Sequence, residues 1–259
     1  MKSFIGILFI SFLASGTTHA QEAPLFHSSF EEQAFASGDP IQILLASDDQ
    51  VDHNKYSAYR DEIEQLVLKL KNKHRGDKSI ALIEKAFYYT HRKSLDWYEN
   101  YVTLSDLLQD GKYDCLTGTA LYAIILSELG VDYSIYEFDF HVFLVASVNG
   151  DSVLLESTDP YYGFVKRSDE ISEHINQYLT GEVSPQNSNA PVGSNGHQYS
   201  SHINNRITLN ELAGLQYFNL AINAFNQGEV ELASSLLNKA NLLYPSQRIK
   251  EIQKVFANR

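Results

Sequence analysis

The chain has 259 residues, 44% of them hydrophobic, which is enough for one sizeable core plus a small appendage and too many for wholesale disorder. Acidic residues outnumber basic ones 32 to 20, a net charge of −12; this argues against nucleic acid and anionic membrane surfaces as partners and fits a chain kept soluble by self-repulsion. With one cysteine, Cys115, no internal disulfide can form.

Met1-Lys2, an apolar run over residues 4–14 and the small-residue exit Gly16-Thr17-Thr18-His19-Ala20 have the layout of a secretory signal peptide. The run is shorter than the ~20 residues that span a bilayer. Residues 1–20 are therefore expected to be cleaved after Ala20. That leaves an exported protein, periplasmic or secreted, with no membrane contact once the leader is gone. Cys115 would then be an unpaired thiol in an oxidising compartment.

Residues 21–180 are expected to form the main domain. Residues 22–55 read as an irregular or partly helical lead-in, broken at Gly38-Asp39-Pro40. Tyr59, Ile63, Leu66, Val67 and Leu70 recur at helical spacing within a helix over 56–73, which Gly76 ends. A second helix over 79–91 turns Ile80, Ile83 and Phe87 inward. Trp97, Tyr98 and Tyr101 form an aromatic cluster expected in the core or in a cleft wall. After the turn Asp110-Gly111-Lys112-Tyr113, Asp114 caps a helix whose apolar face runs from Leu116 to Leu129 and ends at Gly130. The period then drops to two: Val131, Tyr133 and Ile135 alternate with polar residues. Residues 141–148 are nearly all apolar, Asn149-Gly150 is a hairpin turn, and 152–157 is the returning strand. Helices beside an antiparallel sheet make the fold class α+β.

Cysteine is nucleophilic as the thiolate, and a helix N-terminus favours that form. Cys115 stands at such a terminus, although Asp114 opposes the effect with a negative charge next door. A histidine partner is needed, and His141, opening an otherwise apolar strand, is the candidate. A two-residue Asn149-Gly150 turn pairs residues whose numbers sum to 299, so Phe143 faces Glu156. His141 and Glu156 then lie diagonally on one face, roughly 7–8 Å apart at Cα, within reach of a carboxylate–imidazole hydrogen bond. Asp159 would point to the opposite face unless a bulge intervenes. Glu156 is thus the first choice for the acid that orients His141, and Asp159 the second.

The run Gly111-Lys112-Tyr113-Asp114-Cys115-Leu116-Thr117-Gly118-Thr119-Ala120-Leu121-Tyr122, followed by Leu129-Gly130-Val131, His141-Val142-Phe143-Leu144 and Leu155-Glu156-Ser157-Thr158-Asp159-Pro160, resembles the core of the transglutaminase-like superfamily of papain-like cysteine hydrolases. The resemblance covers about residues 80–165. It implies a Cys-His-acid triad for acyl transfer from an amide to water or an amine. Cys115 would be the nucleophile, His141 the base and then acid, and Glu156 the orienting group. The family's usual acid is an Asp, which only Asp159 would supply. Phe143 stands where the family often has Trp. The backbone N–H of Cys115 is the main oxyanion donor in view, with Gln109 a second candidate.

Residues 181–206, rich in Pro, Asn, Ser and Gly, are expected to be a polar linker or long loop. Residues 207–259 are helical, and 214–245 resemble one tetratricopeptide unit, with Tyr217, Leu220, Ala221, Gly228, Ala233, Leu237, Ala240 and Pro245 at its positions. A third helix follows over 246–256. A lone repeat cannot bury its own faces, so this unit must dock on the main domain or on a protein partner. His197 and His202 lack the neighbours for a metal site, no phosphate loop or dinucleotide fingerprint occurs, and no cofactor is expected. Two functions follow: an exported thiol hydrolase or acyltransferase acting on a peptide or other amide, or an inactive scaffold that recruits proteins through its helical tail.

Overall fold

The computed structural model describes residues 25–74, 76–180, 182 and 203–257; the expected leader, most of the expected linker, and His197 and His202 lie outside them. Residues 29–46, within the lead-in read from sequence as irregular or partly helical, form two helices, α1 (Ser29–Ser37) and α2 (Pro40–Ala46), capped by Ser28 and Asp39 and separated by Gly38. They escape a periodicity search because each is about two turns long. Ile43, Leu44, Leu45 and Ala46 are nonetheless fully buried. Helix α3 (His53–Lys73) starts at an Asp52 cap, three residues before the apolar pattern begins, and α4 (Ile80–Ser94) starts at Ser79.

Three short elements follow that periodicity does not reveal. Strand β1 (Trp97–Tyr98) pairs in parallel with β2 (Lys112–Tyr113), and between them α5 (Leu104–Asp110) is held by a Thr103–Asp106 capping box. Asp114, with Thr117, forms a second capping box that opens α6 (Cys115–Glu128). Eleven of the residues on α6 are buried, so it is the central helix of the molecule.

The main sheet is antiparallel, in the order β6 (Phe164–Val165), β5 (Asp151–Leu155), β4 (Val142–Val148), β3 (Asp132–Phe138), β7 (Asn204–Ile207). The mixture is α+β. The β4–β5 ladder pairs Leu144 with Leu155 and Val148 with Asp151, the register set by the two-residue Asn149-Gly150 turn, whose residues both have positive φ. Residues 204–206, within the expected linker, instead add β7 to the edge of β3, where Ile207 pairs with Ile135.

Strand β4 is apolar from Val142 to Ala146 because both of its faces are covered there. Val142, Leu144, Ala146 and Val148 join the main core under α6, and Thr119 on α6 donates to the Val142 carbonyl at 3.3 Å. On the opposite face Phe143 and Val145 pack with Phe138, Leu154 and Ile171 beneath α7 (Ser168–Leu179).

The C-terminal helices α8 (Leu209–Asn226), α9 (Val230–Leu243) and α10 (Gln247–Ala257) pack against the main body, with α8 touching both α2 and α6. Gln216 donates to the Leu44 carbonyl at 2.8 Å. Lys239 forms a buried pair with Glu31 at 2.8 Å, and Tyr217 donates to the same carboxylate at 2.9 Å. These contacts bury the faces that a single helical hairpin leaves open. Among the described residues, no helix is long and apolar enough to cross a membrane.

Candidate functional site

Cys115 occupies the first turn of α6 and is half-buried. Asp114 organises that turn. Its carboxylate accepts the Thr117 N–H at 2.8 Å and the Thr117 hydroxyl at 2.9 Å, while its carbonyl accepts the Gly118 N–H at 3.0 Å. The N–H groups of residues 117 and 118 are thereby used. The Cys115 N–H, one of the amides that a helix start leaves without an intrahelical partner, has none of these acceptors. Burial pushes the Asp114 carboxyl up to about 6 against those hydrogen bonds.

The start of α6 is pressed onto the end of β5. A methyl group on Gly118 would sit 2.7 Å from the Ser157 Cβ, a distance real side chains do not tolerate. The Ser157 hydroxyl donates to the Cys115 carbonyl at 3.4 Å. Only glycine permits this approach, which brings the thiol beside the strand that carries the acid.

His141 lies immediately before β4, and its Nε2 is 2.6 Å from Glu156 Oε2, with the two side chains 15% and 6% exposed. The other Glu156 oxygen accepts from the Thr158 N–H at 3.0 Å and from its hydroxyl at 2.7 Å. Burial alone would lower the His141 pKa. The charge of Glu156 and hydrogen bonding to Cys115 and Glu156 together outweigh it, so the ring is held well above its ordinary 6.5. Burial likewise opposes ionisation of Glu156, but His141 first, then His174 and Thr158, hold that carboxyl well below its ordinary range. Since Nε2 serves Glu156, the ring nitrogen left to face the sulfur is Nδ1. The structure thus gathers Cys115, His141 and Glu156 at one place.

Asp159 is not part of this group. Its carboxylate caps the following turn, accepting the N–H groups of Tyr161 and Tyr162 at 3.0 and 2.9 Å. Strand β5 ends at Leu155, so Asp159 lies in the turn beyond it, where the alternation of strand faces no longer decides its direction. Gln109 is also elsewhere, accepting from the Tyr59 hydroxyl at 3.3 Å on α3. Phe143 is fully buried in the aromatic layer under α7, with its ring 6.2 Å from that of His141.

Two neighbours, Tyr178 and His174, are illegible in the sequence because they lie on an element without a clear pattern, whereas Tyr98 belongs to the aromatic cluster the sequence shows. Tyr178 on α7 stacks on the His141 ring, with centroids 5.2 Å apart and planes 5° from parallel. His174, one turn earlier, holds its Nε2 3.7 Å from Glu156 Oε2, longer than an ordinary hydrogen bond. Tyr98 is edge-on to Tyr113, and its hydroxyl is pushed upward by burial and by the charges of Cys115, Asp114 and Glu156. Trp97 and Tyr98, expected in a core or cleft wall, are 71% and 55% exposed. Phe140, Tyr161 and Tyr162 are exposed as well, so Cys115, His141 and Glu156 each have large solvent-facing rings in an adjoining segment. Among the described residues no group of His, Cys, Asp and Glu could hold a metal ion.

No family model matches the chain, and no curated protein matches it in sequence.

Proposed function

We propose that the protein is an exported thiol hydrolase or acyltransferase of transglutaminase-like type, acting on a peptide or other amide through Cys115, His141 and Glu156. The observation that carries this reading is the buried 2.6 Å contact between His141 and Glu156, on a ring that also interacts with the lone thiol. A surface histidine gains nothing from such burial. A nucleophile's partner does, because a fixed carboxylate stabilises the imidazolium that accompanies a thiolate. The same pairing supports the likeness of residues 80–165 to the transglutaminase-like core, and the α8–α9 hairpin has the small residues of one tetratricopeptide unit.

In the forward half-reaction the Cys115 thiolate attacks the substrate carbonyl carbon, and the carbonyl electron pair moves onto oxygen, to which the Cys115 N–H donates. The C–N bond then breaks, the imidazolium gives its proton to the departing amine, and a thioester remains on Cys115. His141, now neutral, takes a proton from an incoming water or amine as that group attacks the thioester. Collapse restores the thiolate–imidazolium pair and frees an acid or a new amide. The exposed rings of Trp97, Tyr98, Phe140, Tyr161 and Tyr162 offer an apolar rim on which a polypeptide chain can lie.

Alkylation of Cys115 by iodoacetamide across pH 5–9 tests the reading. Rapid modification persisting below pH 7, and slowed at least tenfold by His141→Ala, is the expected result. A thiol that alkylates slowly and ignores the substitution removes the basis for an enzyme and leaves the scaffold reading.

A further inference from the structure

We infer that Arg248, on the last helix, is a positioning residue for His141, so that the C-terminal helices complete the site rather than form a separate module. The inference rests on the proposed role of His141. Strands β3 and β4 pair Glu137 with Val142, and the Phe138 N–H donates to the His141 carbonyl at 2.8 Å, so Asp139-Phe140 is a two-residue hairpin loop. Two-residue hairpins favour turns with positive φ, which match the twist of the strands; a turn without it tends to splay them. Asp139 and Phe140 both have negative φ, unlike Asn149-Gly150 at the other end of β4. The loop at His141 therefore needs support from outside the hairpin.

Arg248 supplies it. Its Nη2 donates to the Phe138 carbonyl at 3.0 Å and to the neighbouring Asp139 carbonyl, so one guanidinium grips two consecutive peptide groups of the loop. The grip is itself anchored, for Nη1 lies 3.4 Å from Glu137, both side chains being buried. Glu137 also accepts from the Tyr244 hydroxyl at 2.6 Å and from Asn205 at 3.0 Å, which ties α9's end and β7 into the same cluster. On the loop's other side, Phe138 stacks on Tyr178, the ring that lies flat on His141. Displacing the Phe138 and Asp139 carbonyls thus moves both the backbone that bears His141 and the stack that orients its ring. A planar fork with several donors can hold two carbonyls and a carboxylate together, which an ammonium cannot do in one geometry.

The experiment uses the full mature chain and reads two quantities: the His141 imidazole titration by NMR, and the pH profile of Cys115 alkylation. Removing Arg248 alone strands a buried carboxylate, so Arg248→Met is made with Glu137→Gln, which leaves no unpaired charge. In the folded double variant the His141 midpoint moves down by one pH unit or more, and alkylation at pH 6 slows at least tenfold. Arg248→Lys, which preserves charge and bulk, falls between it and the wild type. Arg206→Met, which removes an exposed arginine bonded to Tyr136 on the neighbouring strand, leaves both readouts unchanged. A folded double variant, or a folded Arg248→Lys should the double variant not fold, whose titration and alkylation overlay the wild type overturns the inference. A His141 titration that moves with Arg248 in a protein whose alkylation ignores His141→Ala supports the positioning role and sinks the thiol-enzyme reading instead.

Discussion

Replacing Glu156 with Gln changes one charge and almost no volume, which makes it the cleanest perturbation of the site. The His141–Glu156 pair is too buried for solvent screening to erase its contribution, and its 2.6 Å separation is that of a strong charge-assisted bond. Such bonds contribute about 1.5–3 kcal/mol net. Glutamine keeps an acceptor, and the imidazole can escape the loss by giving up its proton, so the cost stays within that range. A loss of about 2–3 kcal/mol corresponds to roughly 30- to 150-fold in the thiolate–imidazolium population, and alkylation of Cys115 near pH 6 falls by that factor.

The stability difference carries its own sign. Glu156 is held below its ordinary 4.5, so its contribution is in force above that value and is lost as the pH falls towards the folded pKa. His141 is held above its ordinary 6.5, so its contribution is full below 6.5 and is lost as the pH rises through the raised value. Wild type and Glu156→Gln therefore differ most between pH 4.5 and 6.5 and converge on both sides. Urea denaturation from pH 3 to pH 9, run beside the alkylation series, measures this directly. A folded variant with an unchanged alkylation profile, or a stability gap that is flat across the whole range, refutes the reasoning.

Asp159→Asn separates the two acids proposed from sequence: it loosens the turn at Tyr161 and Tyr162 and leaves Cys115 alkylation within about threefold of wild type, because the carboxylate caps backbone there. A collapse of reactivity equal to that of Glu156→Gln would return Asp159 to the site. Asp114→Asn keeps an N-cap oxygen but removes a charge whose pKa is raised to about 6 from 3.8, so the cost of ionising it grows as the pH rises through that interval. The variant should match or exceed wild-type stability at pH 8, by up to about 3 kcal/mol, and alkylate faster at pH 6; a loss above ~1 kcal/mol at pH 8 contradicts the burial penalty. Gly118→Ala drives a methyl to 2.7 Å from Ser157, an overpacking cost of about 1–3 kcal/mol, and parts α6 from β5. Thermal denaturation and alkylation should fall together, and an alanine variant with full reactivity would show that the close approach does not position the thiol.

What could be read along the chain was whatever depends on near neighbours. Helices α3, α4 and α6 declare themselves because their apolar residues repeat every three or four positions over four turns or more, and α6 carries its own N-cap in Asp114. The β4–β5 register followed from two residues, Asn149 and Gly150, since turn type sets pairing and pairing sets which side chains share a face. That chain of local rules was enough to rank Glu156 above Asp159. Short elements escaped: α1, α2, α5 and β7 are too brief for a period to emerge, and their order comes from burial against segments remote in sequence.

Tertiary contact alone decided the rest. The nearness of sulfur and imidazole depends on Gly118 meeting Ser157, 39 positions on, and no periodicity encodes that approach. Tyr178 and His174 face His141 and Glu156 because α7 covers the second face of the sheet, and Arg248 reaches the histidine's turn from more than a hundred residues away. Local sequence determines backbone conformation through sterics and caps, whereas side chains from separate elements converge only when the core closes and buries them against one another.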